Sequence, residues 1–408
     1  MWCFAVGASW RAYRAAKTSS DARLSPAALL DLATLLWGGG YLLAALDVPR
    51  NAGQVFDLNL LGSTTPTAIV LYWFSLACCL LAAAAWVQRR VVARWANVGL
   101  SLATMAALAL LGEGAVRAKA LVAPATQGFP TYAGGLWSRR YVRLNSKGFR
   151  DTEHPFARIP GTNRILLIGD SFAFGVGIRR TGDRLGEQLA VQLDKVTRTP
   201  WEVINASHPD RNTLDEIAIL DSTIAYRPDV VILVYVFNDI DYLFPVTQRT
   251  VLTEAPETVL QRIHPVRLLF ENSFLFQEFY VRIRALHWSF RHENRRDDPY
   301  ADASLVRAHL VDLARFVAKA ESAGATVGIV PFDPTVVGNP AVQQRYESFV
   351  GRALAAGLPI WRVDSAFSDL TVRQLSVNRL DGHPNELANR AVATRVWPRV
   401  VGALGRHK

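Results

Sequence analysis

Residues Arg164 to Ile178 read Arg-Ile-Leu-Leu-Ile-Gly-Asp-Ser-Phe-Ala-Phe-Gly-Val-Gly-Ile. The apolar run Ile165 to Ile168 is brief and ends at a glycine, the pattern of a short buried strand. The strand stops at Gly169 and leaves the polar pair Asp170-Ser171 at its carboxyl end. In open α/β sheets, that end is where ligands bind. Gly-Asp-Ser is also ordinary turn chemistry, so a role for Ser171 requires a base and an oxyanion-stabilising group downstream.

Outward from this strand, four more runs fit buried strands: Glu202 to Asn205, Val230 to Val236, Thr326 to Val330 and Pro359 to Val363. Helical patterns separate them, at Arg184 to Lys195, Leu214 to Tyr226, Ser304 to Ala323, Ala341 to Ala356 and Glu386 to Leu404. Strand alternating with helix predicts an α/β fold, a three-layer α/β/α sandwich around a parallel sheet of flavodoxin-like type, over residues 163–408. An excursion at 241–303 interrupts it. There Phe270, Phe274, Phe276, Phe279 and Tyr280 recur on helical spacing, followed by Arg282, Arg284, Arg291, Arg295 and Arg296. That is the pattern of a helix packed on the domain, or of a lid or lipid-facing surface.

Residues 1–119 have a different character. Pro26 to Leu46, Pro66 to Val87 and Val91 to Leu111 each approach the ~20 apolar residues that a membrane-crossing helix needs. Three transmembrane helices are therefore predicted. Arg11, Arg14, Lys17 and Arg23 precede the first run and Arg89 and Arg90 follow the second, whereas the loop between has only Arg50. Lys/Arg excess marks cytoplasmic loops, so the tail is predicted inside and everything after the third run outside. In a bacterium with two membranes that is a multi-pass inner-membrane protein with its α/β domain in the periplasm. Net charge is +10, half of it within the first 120 residues, as expected beside anionic lipid. No basic, aromatic-interleaved stripe supports nucleic-acid binding. Residues 120–162, punctuated by Gly, Pro and Tyr, read as an irregular linker and docking segment with short strand-like pieces.

Cys3, Cys78 and Cys79 all precede residue 120, which excludes a disulfide framework beyond it. The histidines outside the motifs below are scattered without ligand spacing, so no metal is expected. No Walker or dinucleotide glycine loop is present, so no cofactor is expected either. A Gly-x-Ser-x-Gly elbow is absent, against an α/β-hydrolase proper.

Gly169-Asp170-Ser171 with Gly175 and Gly177 resembles the first sequence block of the SGNH (GDSL) hydrolase superfamily. Arg379-Leu-Asp-Gly-His-Pro-Asn385 resembles its fifth block, and Val236-Phe-Asn-Asp-Ile240 its third. Tyr141 to Arg150 looks like a stretch found just before the catalytic domain in membrane-tethered members. The resemblance implies Ser171 as nucleophile, His383 as base, Asp381 as the acid that orients it, and an oxyanion hole from the Ser171 backbone N–H and the Asn238 side chain. Two departures stand out. The commoner spacing, Asp-x-x-His, would place Leu380 where the acid belongs, whereas this chain has Asp-x-His. In the second block, Asn205 to Thr213, the oxyanion glycine falls on Asp210, whose N–H can serve only if the residue adopts a glycine-like conformation. Its carboxylate would oppose a developing oxyanion unless turned away. His208 reads as a loop residue.

Together these features predict a membrane-anchored serine esterase, acting on an O-acyl group of an envelope glycan or a lipid, with no nucleic-acid partner. Two alternatives stay open: an O-acyltransferase using the same Ser171, and a non-catalytic binding protein that keeps the fold.

Overall fold

In the computed structural model, the strand expected at Arg164 to Ile168 is β1 (Asn163–Gly169), wholly buried from Arg164 onward. The structure describes residues 74, 77, 78, 93–128, 131–243, 272–291 and 299–404. Two compact units divide the chain: Met1–Ala125 with Leu260–Val281, and Thr126–Val259 with Arg282–Lys408.

In the second unit, β1 lies between β2 (Trp201–Asn205) and β3 (Val230–Tyr235), and β4 (Thr326–Pro331) completes the order β2-β1-β3-β4, all parallel. Every residue of β3 is buried, as a strand covered on both faces requires. This is the flavodoxin-like order, whose crevice opens where the winding reverses, between the carboxyl ends of β1 and β3. Gly169 is required there. A Cβ on it would lie 2.8 Å from the Val234 carbonyl oxygen, so only glycine lets the two backbones run together to the sheet's edge.

The expected fifth strand shrinks to one parallel bridge, Ile329 with Ile360. Pro359 offers no N–H, and by Val363, at ψ −2°, the chain has left the extended region for a 3₁₀ turn. The helices of this unit bury regular stripes. In α4 (Leu185–Val196) these are Leu185, Leu189 and Leu193; in α7 (Ala303–Ser322), Val306, Leu313, Phe316 and Ala320. Side-chain caps start them: Asn212 forms a capping box with Asp215 ahead of α5 (Thr213–Thr223), Asp302 caps α7, and Asn339 caps α8 (Pro340–Ala355), with Pro340 at its first position. α4 packs on β2 and on α9 (Glu386–Leu404), while α5 packs on β1 and α7, giving the two helical layers.

The linker is more ordered than its glycines suggest. Thr131 accepts from the Gly134 amide at 3.1 Å and starts α2 (Tyr132–Tyr141), which buries Leu136 and Trp137. Capping and aromatic burial here outweigh the helix-weakening pair Gly134-Gly135.

Of the three apolar runs, Pro26 to Leu46 lies outside the described residues, as does Pro66 to Val87 apart from Phe74, Ala77 and Cys78. The third, from Ala93 onward, falls within α1 (Ala93–Val122), which continues past it through Glu113, Arg117 and Lys119; Val91 and Val92 lie outside the described residues. Among the described residues no helix is long and apolar enough to cross a membrane. Within the first unit, Glu113 accepts from the Phe274 and Leu275 amides, both at 2.9 Å, and so caps α6 (Phe274–Arg291). Arg117 donates to Glu113 at 2.5 Å and to the Asn272 carbonyl at 2.8 Å.

At the far end of β3, an aromatic and polar knot holds both ends of the excursion. Tyr235 bonds Tyr300 and, at 3.0 Å, His309 Nε2; Tyr242 donates to Asp312 at 2.5 Å. His309 is fully buried, and burial pushes its imidazole down to about 3. An unfolded chain regains an ordinary histidine of ~6.5. Acidification from ~6.5 therefore protonates the unfolded chain first, at a cost of up to about 1.4 kcal/mol per pH unit. Urea unfolding midpoints should fall between pH 6.5 and 4.5, and His309→Gln should flatten that dependence by roughly one proton. An unchanged slope in the variant would rule the effect out.

Candidate active site

Ser171 is the first residue of a single helical turn, α3 (Ser171–Phe174), that begins directly at the end of β1. Asp170 caps the turn by accepting from the Phe172 amide at 2.9 Å, and its other carboxylate oxygen lies 3.2 Å from Ser171 Oγ, an alternative acceptor for the hydroxyl. Gly175, at φ +77°, ends it.

The carbonyls that follow are held from outside the turn. Asn205, at the end of β2, donates its side-chain amide to Ala173 O at 2.9 Å. The buried Arg150 guanidinium donates to Gly175 O and Ile178 O, both at 2.7 Å, and to Tyr141 O at 3.1 Å. Burial, with Arg184 alongside, brings Arg150 down to about 10. The Tyr141 to Arg150 stretch thus docks the linker on the serine loop through Arg150, a residue to which the sequence reading gave no individual role.

Asp381 and His383 sit on β6 (Asp381–Pro384), paired antiparallel with β5 (Ser376–Asn378). In an extended strand, residues two apart point to the same face. The Asp-x-His spacing therefore brings the carboxylate onto the ring: Asp381 Oδ1 lies 2.5 Å from His383 Nδ1 and also accepts from the His383 amide at 3.0 Å. His383 Nε2 lies 3.0 Å from Ser171 Oγ, across 212 residues of sequence. Leu380 instead contributes its backbone to the hairpin turn, its amide donating to Asn378 Oδ1 at 2.9 Å.

Burial opposes charge on His383, but the hydrogen bond and charge of Asp381, aided by Asp170 and Asp210, outweigh it and raise the imidazole above its ordinary value. Asp381 moves the other way. Burial pushes it up, and the contact with His383 brings it below the usual carboxylate range. Phe172 meets the His383 ring edge-on at 5.6 Å and leans on Phe332 at the same distance.

Asp210 takes φ +59°, the glycine-like conformation its position demands, and its side chain is exposed. Asn238 is exposed on the turn after β3, at the same sheet edge as Ser171. The buried Asp239 closes that turn by accepting from the Val236 amide at 2.8 Å. Among the described residues, neither Asn238 nor Asp210 is hydrogen bonded to Ser171. His208 turns its Nδ1 to the Pro209 carbonyl at 3.0 Å. No grouping of three or more His, Cys, Asp or Glu among the described residues could hold a metal ion.

No protein-family model and no curated protein matches the chain. Among solved structures it is similar to TesA, at 14% identity and a TM-score of 0.37, over 59% of this chain and 99% of that one. It is also similar to a putative lipolytic protein of the G-D-S-L family from Desulfitobacterium hafniense DCB-2, at 13% identity and 0.36, over 58% and 98%. A third is the psychrotrophic esterase EstA from Pseudoalteromonas sp., at 16% identity and 0.36, over 60% and 99%.

Isotope-labelled histidine NMR should show His383 titrating above pH 6.5. In Asp381→Asn the burial remains while its counterweight is gone, so the midpoint should drop below 6.5. A midpoint that does not move with that substitution would contradict the ion-pair assignment.

Proposed function

We propose that the chain is a serine esterase in which Ser171 is the nucleophile, His383 the general base and Asp381 the group that fixes the imidazole. The observation that carries this reading is the continuous hydrogen-bonded line from Asp381 through both ring nitrogens of His383 to Ser171 Oγ. With Nδ1–H committed to Asp381, Nε2 presents a lone pair to the hydroxyl. As Oγ attacks an ester carbonyl carbon, its proton passes to Nε2, and the imidazolium formed is stabilised by Asp381. The proton then goes to the leaving alkoxide as the C–O bond breaks. Water repeats the sequence on the acyl-enzyme and releases the acid.

Negative charge on the former carbonyl oxygen needs donors. Candidates are the Ser171 N–H at the helical turn, the Asn238 amide, and the Asp210 N–H, whose positive φ supports that role. The exposed Asp210 side chain leaves solvent, rather than the site, to solvate its charge.

Purified full-length chain should hydrolyse p-nitrophenyl acetate, with activity rising as pH passes the elevated His383 midpoint. Ser171→Ala should lose on the order of 10⁴-fold or more in kcat. Fluorophosphonate labelling should map to Ser171. Release that climbs only when an oligosaccharide acceptor is added would favour the acyltransferase, and a Ser171→Ala variant equal to its parent would leave a binding protein.

Attachment to a membrane is the second part of the proposal, with an O-acylated envelope glycan or a lipid as the substrate class it suggests. The apolar runs Pro26 to Leu46 and Pro66 to Val87 support it, as do exposed Leu102, Met105 and Leu108 on α1. The loop charges favour an odd number of crossings and a catalytic unit on the periplasmic side. Glu321→Cys, on an exposed position of that unit, should react in intact spheroplasts with a membrane-impermeant maleimide above the parent background. Reaction only after lysis would put the unit in the cytoplasm.

A further inference from the structure

The segment Thr126–Gly128, which follows α1 in sequence, lies against the hairpin that carries Asp381 and His383. Asn378 donates its side-chain amide to the Thr126 carbonyl at 2.8 Å, and Asn378 is also the register partner of Asp381 across the hairpin. Gly128 has φ +62°, and a Cβ on it would sit 3.1 Å from Leu380 O and 3.4 Å from Asp381 Cα. The segment therefore runs close against the backbone of the acid itself, and a side chain at 128 would be strained at this φ and would crowd Leu380 O.

Asp381 is 1% exposed and uses its two oxygens unequally. Oδ1 takes both donors from His383, the ring and the amide. Oδ2 is buried and has no hydrogen-bonding partner; Thr126 Oγ1 is likewise buried and without one. A carboxylate held through one oxygen alone can rotate about its Cβ–Cγ bond, and rotation would break the alignment that keeps the proton on Nδ1. A donor on the second oxygen removes that freedom and favours the ionised form. The hydroxyl neighbouring Asp381 is that of Thr126, on the segment that Asn378 and Gly128 hold against the hairpin, and its proximity adds to the lowering of the Asp381 pKa.

We propose that Thr126 is a positioning residue: its hydroxyl serves the second carboxylate oxygen of Asp381, so that Thr126–Gly128 is part of the support of the catalytic triad. The inference rests on reading Ser171, His383 and Asp381 as that triad. Thr126 touches no reacting atom and acts through Asp381 alone. Its loss should therefore slow turnover without weakening substrate binding, and should matter only while residue 381 is a carboxylate.

Hydrolysis of p-nitrophenyl acetate by the full chain, followed in the parent and four variants, tests it. Thr126→Val, which keeps the shape and removes the hydroxyl, should lower kcat about 10-fold with KM changed less than about twofold. Thr126→Ser should restore kcat to within about threefold of the parent. In an Asp381→Asn background, Thr126→Val should change kcat by less than about twofold, because the carboxylate it steadies is already gone. Thr126→Ala gives the same contrast if valine disturbs the packing. Equal fold-losses in both backgrounds, or parental kcat in Thr126→Val, would overturn the inference while leaving the triad intact. An Asp381→Asn enzyme as fast as the parent would instead remove the triad reading, and this inference with it.

Discussion

A single imidazole joins two parts of the chain that have no local reason to meet. His383 accepts its place from an extended hairpin, where alternation of side chains puts Asp381 on the same face two residues earlier. It then reaches Ser171 because the sheet delivers the end of β1 to the same edge. Both halves are matters of strand geometry. Strand β1 must run buried and straight to Gly169, where any Cβ would strike the Val234 carbonyl. Asp170 must then turn the chain into α3, so that Ser171 faces the imidazole and not the core.

Both ends of β1 are fixed by buried cations rather than by apolar packing alone, Arg164 at its start and Arg150 and Arg184 at the serine turn. Arg150, Arg164 and Arg184 are each at most 1% exposed. Arg164 donates to Glu202 at 2.7 Å, and Arg184 pairs with Glu187 and bonds the Arg150 carbonyl. His154 bridges Asp151 and Glu202, and Asp151 accepts from the Asn205 amide at 2.7 Å. Breaking one partner of such a network strands the others in a medium that solvates them poorly. Its net contribution to stability is smaller than the number of bonds suggests, whereas its directional demands are strict. The linker is thereby locked onto the domain, and the carbonyls after Ser171 are held in one arrangement.

How much of this was legible beforehand follows from the range of each signal. Strands and helices were readable because a short continuous apolar run and a period-3.6 stripe are both local signals: Leu185, Leu189 and Leu193 announce a helix without reference to anything else. Ser171, His383 and Asp381 were readable as motifs, but the reach of Asp381 was not. The usual spacing argument assumes a backbone shape, and only the β5–β6 pairing shows that an extended one makes the shorter spacing work. Asp210 could be named as a site for positive φ, yet that it takes such a value is a property of the folded loop. Arg150 and Thr126 were invisible as individuals. Arg150 looked like one basic residue among many, and a threonine in a loop carries no signal until its hydroxyl is seen buried beside a carboxylate. The fifth strand failed because Pro359 and the turn at Val363 interrupt a run whose composition alone looked continuous.

Charge behind the serine completes the picture. Asp170, Glu216 and Asp239 are all buried at the carboxyl edge of the sheet, where full ionisation would set a cluster of negative charge against any oxyanion formed nearby. Burial raises all three, and mutual repulsion adds to it for Glu216 and Asp239, which stand well above the ordinary carboxylate range. The fold therefore disfavours ionisation of Glu216 and Asp239 most strongly, where charge would hinder the chemistry, while the donors on Asp170 and the nearby His383 offset part of its burial. It keeps Asp381 ionised where the imidazolium needs it, because Asp381 alone among these buried acids is paired with a base. The same burial thus produces opposite protonation preferences within one site, and the difference lies in whether a cation shares the buried space.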